Sequence, residues 1–239
     1  MSPEVPRPVI RVVDLGLRQY GPVHALQHAT VQGVRKGTVS QVLYLVEHTP
    51  TITLGRRADP AHILASPETL QRMGIVTCQI ERGGDVTYHG PGQLVAYPIL
   101  PLRAYGLGPS DYMHLLEGCV IGALADLGVA ATRRTGLIGV WVGDAKICAL
   151  GVRILRGVSL HGLALNVDPD MAPWQTIVPC GIHDGRVTSL RQVLGQVPAM
   201  ATVQDKLVQQ LGQALRADML PVTDVERWIE ATMAAAATP

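Results

Sequence analysis

The spacing of apolar residues changes several times along this chain, and the changes outline alternating helices and strands. The segment from Pro22 to Gly33 predicts a first helix with a proline near its start. Alternating side chains predict a strand from Gln41 to Glu47 and a second, short strand from Thr51 to Leu54. The first quarter of the chain therefore mixes helix and strand.

The next segments continue the mixture. The residues Ser66-Pro67-Glu68 predict a short helix that Gly74 ends, and Ile75 to Glu81 predicts a strand. A further strand is predicted from Gln93 to Ile99, where apolar residues alternate again. A long helix is expected to begin at Ser110 and to end at Gly128.

The second half of the chain predicts a block of strands followed by two helices. The block runs from Gly139 to Val167, with turns at Gly143-Asp144 and Arg156-Gly157. One helix is predicted by an apolar stripe ending at Leu215, and another by a capping box of Thr223 and Glu226. No long linker interrupts these elements, so we expect one α/β domain over residues 1–239, with a mixed sheet flanked by helices.

Composition and charge narrow the class of protein. The 239 residues are 47% hydrophobic and 16% charged, which is typical of a globular protein with a sizeable core. The formal charge of +1 and the 4% of aromatic residues argue against nucleic acid or an anionic membrane as a partner. Prolines interrupt the first eight residues, and no apolar run approaches the roughly 20 residues that span a bilayer. We expect a cytoplasmic protein.

The segment from Arg82 to Gln93 carries the strongest local signal, because it contains four glycines and one proline. Glycine is needed where the backbone turns with positive φ or approaches another group closely, so a ligand is expected beside this loop. A phosphate-binding loop would open a helix, yet the residues after Gln93 alternate like a strand. A nucleotide site is therefore disfavoured.

One lysine and one cysteine stand out as candidates for chemistry. The chain has only three lysines against seventeen arginines, and Lys146 lies within an alternating apolar run. Cys180 lies between proline and glycine in a segment expected to be a turn. Cys148 competes with it because, two positions after Lys146 in a strand, it points to the same face. Cys78 and Cys119 are expected to be core residues.

Histidines give weaker signals. His89 alone is more often a hydrogen-bonded structural residue than a catalytic base, and His183 near Cys180 leaves a Cys-His pair as a minor alternative. The remaining histidines show no metalloprotease-like or other paired ligand spacing, so we expect no metal site. They are residues 24, 28, 48, 62, 114 and 161.

Several motifs together resemble the octanoyltransferases, also called the lipoate-protein ligase B family. They run in order from about Gly55 to Leu190 and cover most of the chain. The matching stretches are Arg82-Gly83-Gly84, Thr87-Tyr88-His89, Gly92-Gln93, Tyr97, Gly143 to Ile147, Leu160 to Asn166 and Pro179-Cys180-Gly181.

The resemblance implies a catalytic domain with the fold of biotin and lipoate protein ligases. It also implies a Cys180–Lys146 dyad that forms an octanoyl-cysteine intermediate, with neither ATP nor metal required. Three segments are implied as walls of the acyl site: Arg82, Gly83, Gly84, Asp85, Val86, Thr87, Tyr88 and His89; Ala149, Leu150 and Gly151; and Gly162, Leu163 and Ala164.

The implied partners are octanoyl-acyl carrier protein as donor and, as acceptors, the lipoyl domains of 2-oxoacid dehydrogenase E2 subunits and the glycine cleavage H protein. The reaction would be the first step of endogenous lipoate biosynthesis. Two alternatives stay open: an ATP-dependent lipoate-protein ligase of the same fold, and a non-catalytic module that binds acyl groups or carrier protein.

Overall fold

The computed structural model describes residues 6–179 and 186–237. Its strands are β1 Val9–Arg18, β2 Val42–His48, β3 Thr51–Leu54, β4 Val76–Gln79, β5 Val86–His89, β6 Gln93–Ile99, β7 Thr132–Arg134, β8 Leu137–Val142, β9 Ala145–Leu155, β10 Val158–Asn166, β11 Arg186–Val187 and β12 Asp218–Pro221. Its α-helices are α1 Tyr20–Lys36, α2 Pro67–Arg72, α3 Pro109–Asp126, α4 Leu190–Leu194, α5 Met200–Leu215 and α6 Val225–Ala237. Short 3-10 turns cover Pro60–His62, Leu102–Tyr105 and Ala172–Thr176.

Two sheets organise the described residues. The larger has nine strands in the order β12-β1-β2-β6-β10-β9-β8-β7, with β11 beside β9. Strand β1 pairs in parallel with β2 and β12, whereas β6, β10, β9 and β8 pair antiparallel in succession. The smaller sheet has the order β4-β3-β5. The predicted mixed sheet is confirmed.

Alternation along the central strands explains why helices cover both faces of the large sheet. In β2, Leu43 and Leu45 point into the core beneath α3 and α5, while Val42, Tyr44 and Val46 point into the core beneath α1 and α6. Side chains alternate between the faces of a strand, so a strand buried on both sides is apolar throughout.

None of the helices in the described ranges is long and apolar enough to cross a membrane.

Most predicted elements are present with bounds close to those expected. The strands at Thr51–Leu54 and Gln93–Ile99 have the predicted limits, and α1 extends the first predicted helix at both ends. The predicted turns at Gly143-Asp144 and Arg156-Gly157 separate β8, β9 and β10. The second turn has positive φ at both residues, as a tight hairpin requires.

Two predicted helix starts are wrong. Helix α3 begins at Pro109, and the Gly108 amide donates to the Asp111 carboxylate, so Ser110 is not the cap. Helix α6 is capped by Asp224, whose side chain accepts from the Arg227 amide, instead of by Thr223. In both cases a carboxylate takes the capping role that the sequence assigned to a hydroxyl.

Strand β10 packs against β6 so closely that only glycine fits at one position. A Cβ atom on Gly162 would lie 2.0 Å from the Ala96 carbonyl oxygen. Gly21, in α1, has open space at the same position and no positive φ, so it provides a matched comparison.

We expect Gly162→Ala to lower the free energy of unfolding by about 2 kcal/mol or more, because β6 and β10 must separate to admit the methyl group. Gly21→Ala should be neutral or stabilising by up to about 1 kcal/mol. Urea unfolding of both variants, followed by circular dichroism, measures the difference. Equal stability of the two variants would contradict the close approach of the strands.

Candidate active site

A cavity of about 460 Å³, including its open mouth, lies between the large sheet and the glycine loop. Eleven of the fourteen residues expected to line the acyl site surround it: Arg82, Gly84, Asp85, Thr87, His89, Ala149, Leu150, Gly151, Gly162, Leu163 and Ala164. The three predicted walls thus come together around one space.

The other three expected residues do not line the cavity. Val86 and Tyr88 point into the core of the small sheet, because they alternate with Thr87 and His89 along β5. Gly83 lies against β9, where its amide donates to the Val152 carbonyl at 3.1 Å. The loop prediction was wrong for residues 86–89, which form a strand.

Four lining residues were missed from the sequence: Tyr20, Val95, Tyr97 and His161. Tyr20 comes from the first turn of α1, far from the motifs in sequence, and no local pattern marks it. Val95 and Tyr97 follow the alternation of β6, so the strand prediction already placed them on one face.

Backbone contacts explain the glycines in the loop. The amides of Arg56 and Arg57 donate to the carbonyls of Arg82 and Gly84, at 3.0 and 3.1 Å. A Cβ atom on Gly55 would lie 2.4 Å from the Gly84 carbonyl oxygen, and Gly84 itself has φ of +87°. The glycines are needed for packing of backbone on backbone, which brings the Arg82 side chain to the cavity wall.

Arg82 places a buried positive charge in this wall. Its guanidinium donates to the Thr53 carbonyl at 2.7 Å, to the Thr53 hydroxyl and to the Gly83 carbonyl at 3.0 Å. Only 8% of the residue is exposed. Hydrogen bonds from a rigid guanidinium to fixed oxygens keep its orientation, and a buried cation in this setting attracts developing negative charge.

A chain of buried hydrogen bonds fixes the tautomer of His89. The Asn166 amide nitrogen donates to the Thr188 carbonyl, so the Asn166 oxygen accepts from Gln93 Nε2. Gln93 Oε1 then accepts from His89 Nδ1 at 2.7 Å, which leaves His89 Nε2 without a proton in the neutral ring. Burial, chiefly, lowers the pKa of His89 to about 3. His89 is therefore a neutral ring near pH 7.

Lys146 lines a second, smaller space together with Pro179 and Trp174. Thr87, Ala149 and Ala164 line both cavities, so the two spaces share a wall. The residue is 8% exposed, and its ammonium lies 4.9 Å from the centroid of the Trp141 ring. An ammonium over an indole face is held by the ring quadrupole.

The described cysteines are poor nucleophiles. Cys148 is fully buried, and desolvation raises the pKa of its thiol far above the ordinary value. Burial raises the thiol pKa of Cys119 to about 12 and also raises that of Cys78. A thiol is reactive only as the thiolate, so none of the three is suited to attack a thioester at neutral pH.

Cys180 and His183 lie outside the described residues. The placement of the predicted dyad, and of the alternative Cys-His pair, is therefore known only from its Lys146 side and from Pro179, the residue before Cys180.

A group of ionisable side chains missed from the sequence adjoins the main cavity. Helix α1 presents His24 and His28 one turn apart, although the histidine spacing had appeared uninformative. Their Nε2 atoms lie 3.1 and 2.6 Å from the two carboxylate oxygens of Glu81. His161 stacks on His24 at 5.5 Å and also lines the cavity. The nearby His161 ring is the main cause that lowers the pKa of the Glu81 carboxyl. Burial lowers the pKa of His24 and the pKa of His161.

Comparison with solved structures defines the fold. A lipoate-protein ligase A bound with ATP superposes with a TM-score of 0.72 at 15% identity, over 96% of this chain and 95% of the other. A bipartite lipoate protein ligase from Thermoplasma acidophilum gives 0.70 at 17% identity, over 97% and 93%. A biotin protein ligase from Aquifex aeolicus gives 0.51 at 14% identity, over 86% and 70%. The fold is that of the lipoate and biotin ligase catalytic domains, as predicted.

Sequence comparison is more specific. The profile of the lipoyl protein ligase A/B catalytic domain matches residues 19–212. An octanoyltransferase from Chloroflexus aurantiacus is 49% identical over 202 residues, covering 83% of this chain and 91% of the relative. Another from Xanthomonas campestris is 42% identical over 220 residues, covering 90% and 91%. This chain belongs to the octanoyltransferase family within the lipoyl protein ligase A/B catalytic domains.

The buried floor of the cavity predicts a sensitivity of stability to acid. His48 donates from Nδ1 to the Arg18 carbonyl and accepts at Nε2 from the Tyr97 hydroxyl, 2.9 Å away. The rings of Tyr20 and His89 also face it. Burial lowers the pKa of His48 to about 4. Below the unfolded pKa of about 6.5, the unfolded chain binds a proton at His48 that the folded chain excludes.

Because the folded chain binds fewer protons in that window, stability falls as the pH falls from about 6.5 to about 4, by about 3 kcal/mol for this residue. We expect His48→Gln to remove the contribution of His48, whereas the contribution of His89, whose pKa is lowered to about 3, remains. Urea unfolding of the wild type and the variant at about pH 7 and about pH 4.5 measures it. An equal loss of stability in both proteins would show that His48 does not carry the effect.

Proposed function

We propose that this protein transfers an octanoyl group from octanoyl-acyl carrier protein to a specific lysine of a lipoyl domain, through a thioester on Cys180. Membership of the octanoyltransferase family supports the reaction, because the relatives bear that name at 41–49% identity over most of the chain. The acceptors would be lipoyl domains of E2 subunits and the glycine cleavage H protein, as the resemblance implies.

One observation of the structure carries the proposal. Lys146 is buried in a cavity that also contains Pro179, and that cavity shares a wall with the larger one. Cys180 follows Pro179 directly, and covalent geometry limits neighbouring α-carbons to a separation of about 3.8 Å. The proposal is supported by Pro179, the neighbour of Cys180, which lines the same space as Lys146. An ammonium nearby favours the thiolate over the thiol.

The first step makes the acyl-enzyme. The Cys180 thiolate attacks the carbonyl carbon of the donor thioester, and its electron pair forms the new carbon–sulfur bond. The bond to the phosphopantetheine sulfur breaks, and the departing thiolate takes a proton from the Lys146 ammonium. Lys146 is then a neutral amine. Arg82 lines the larger cavity, and its positive charge would attract the negative oxygen of the tetrahedral intermediate.

The second step returns both residues to their starting states. The neutral ε-amine of the target lysine attacks the octanoyl-Cys180 carbonyl, and the carbon–sulfur bond breaks to release the Cys180 thiolate. The proton lost by the attacking nitrogen passes to Lys146, which becomes an ammonium again. One thioester is exchanged for another and then for an amide, so no ATP is needed for activation.

The larger cavity suits an acyl chain. Leu150, Leu163, Ala149 and Ala164 give it apolar walls. Each buried methylene contributes about 0.8 kcal/mol, so a cavity of limited depth discriminates between chain lengths by modest factors. A site for an apolar acyl chain with a reactive carbonyl is expected to have apolar walls and a few polar groups at its rim.

Cys180→Ser and Lys146→Met test the dyad. After mixing with octanoyl-acyl carrier protein, the wild-type chain should gain the mass of one octanoyl group, which peptide mapping should locate at Cys180. Cys180→Ser should gain none, and Lys146→Met should acylate at least about 100-fold more slowly, as loss of a general acid–base commonly costs. Cys78→Ser and Lys206→Met serve as matched controls. An adduct at Cys148, or no adduct at all, would contradict the mechanism.

An ATP-dependent ligase would differ from the proposed transferase in its need for nucleotide. Wild-type protein with octanoyl-acyl carrier protein should modify a purified lipoyl domain without nucleotide. Free octanoate with ATP and magnesium should give at least about 1,000-fold less product, because the proposed chemistry has no route to an activated free acid. Gel-shift or mass measurement of the lipoyl domain follows the reaction. Turnover that requires ATP and survives Cys180→Ser would assign the chain to the ligases.

A further inference from the structure

Three side chains from separate parts of the chain converge beside the main cavity. His24 comes from α1, Glu81 from the segment before the glycine loop, and His161 from the middle of β10. Their ligand atoms all lie within 4.8 Å of one another. Nothing in the proposed transfer chemistry uses this arrangement.

The distances match a tetrahedral metal centre. His24 Nε2 lies 3.1 Å from Glu81 Oε2, and His161 Nε2 lies 3.8 Å from Glu81 Oε1. Zinc bonds of about 2.0–2.1 Å at tetrahedral angles place neighbouring donor atoms about 3.3 Å apart. Two imidazoles and one carboxylate form a ligand set typical of zinc, whereas magnesium and calcium prefer oxygen donors alone.

The state of His161 points independently to a bound ligand. The residue is 1% exposed, yet neither ring nitrogen has a hydrogen-bond partner within residues 6–179 and 186–237. Leaving a buried imidazole unsatisfied destabilises the fold, and native proteins rarely do so. The separation of 3.8 Å from Glu81 is too long for a hydrogen bond but suits two ligands of one ion.

The backbone holds His161 in place at some cost. Its φ is +62°, in the left-handed region that residues with a Cβ seldom adopt. The amide of His161 donates to the Gln27 side chain on α1, one turn from His24 on the same helix. Helix α1 therefore positions the backbone of His161 through Gln27, and its His24 ring stacks on the His161 ring.

We infer that His24, Glu81 and His161 form a zinc-binding site that joins α1, the glycine-loop segment and β10. His28, whose Nε2 lies 3.2 Å from His24 Nε2 and 2.6 Å from Glu81, contacts two of the ligands from the outside. This differs from the expectation of no metal, which rested on spacing along the sequence. The inference is independent of the transfer reaction.

The experiment uses the full chain without a histidine tag and with Cys180→Ser, which removes the one thiol that the structure leaves uncharacterised. After chelator treatment, the protein is titrated with zinc against a chromophoric chelator, and with cobalt for its absorption spectrum. We expect one equivalent of zinc per chain and an intense visible band of four-coordinate cobalt without a thiolate band. Zinc should also raise the melting temperature.

Two ligand variants and one control decide the outcome. Glu81→Gln and His24→Asn should each lower zinc affinity by about 100-fold or more and abolish the melting-temperature shift, since removal of even a supporting partner costs 10- to 100-fold. His114→Asn, on the exposed side of α3, should bind as the parent does. His24 is partly exposed, so its variant should fold even where Glu81→Gln does not. Less than half an equivalent of zinc, or equal affinity in His24→Asn and His114→Asn, would overturn the inference.

Discussion

Burial of polar side chains where the two sheets meet is the constraint on which the candidate site depends. A polar group taken from water must be hydrogen-bonded or its desolvation destabilises the fold. From His89 in the small sheet, the bonds run through Gln93 and Asn166 in the large sheet to the carbonyl of Thr188. Each acceptor in this series of hydrogen bonds fixes the orientation of the donor bonded to it, so the series has only one consistent arrangement. The same bonds satisfy the buried polar groups and hold the walls of the cavity in place.

This rigidity matters because the site contains two buried cations. Arg82 is held by oxygens of Thr53 and Gly83, and Lys146 lies over the Trp141 ring. In the proposed transfer both charges are in place before the thioester binds. Fixed charges stabilise developing negative charge without the reorganisation that water would require. In the proposed transfer the apolar cavity holds the acyl chain, and the two charged groups act on its thioester carbonyl.

Much of the fold could be predicted because its determinants are local. The short apolar runs of β2, β3 and β6, the serine cap of α2 and the glycine stops are visible in short windows. Strand β1 was missed although Val9 to Leu15 is largely apolar, and β12 pairs with it from the other end of the chain. The short strands β7 and β11 derive their structure from pairing with β8 and β9, which no local pattern encodes.

The site shows the same division. Residues 149–151 and 162–164 line the cavity as expected because each motif occupies one strand, whereas Val86 and Tyr88 turn away because strand alternation overrides membership of a motif. Tyr20, His24 and His161 could be assigned to the site only once the packing of α1 against β10 was known.

Helix α1 carries Tyr20, His24 and His28 at intervals of four, so a single face supplies both an aromatic wall of the cavity and the histidines beside Glu81. The histidines of that face meet Glu81 and His161 only after the helix docks, so no single sequence window shows the cluster.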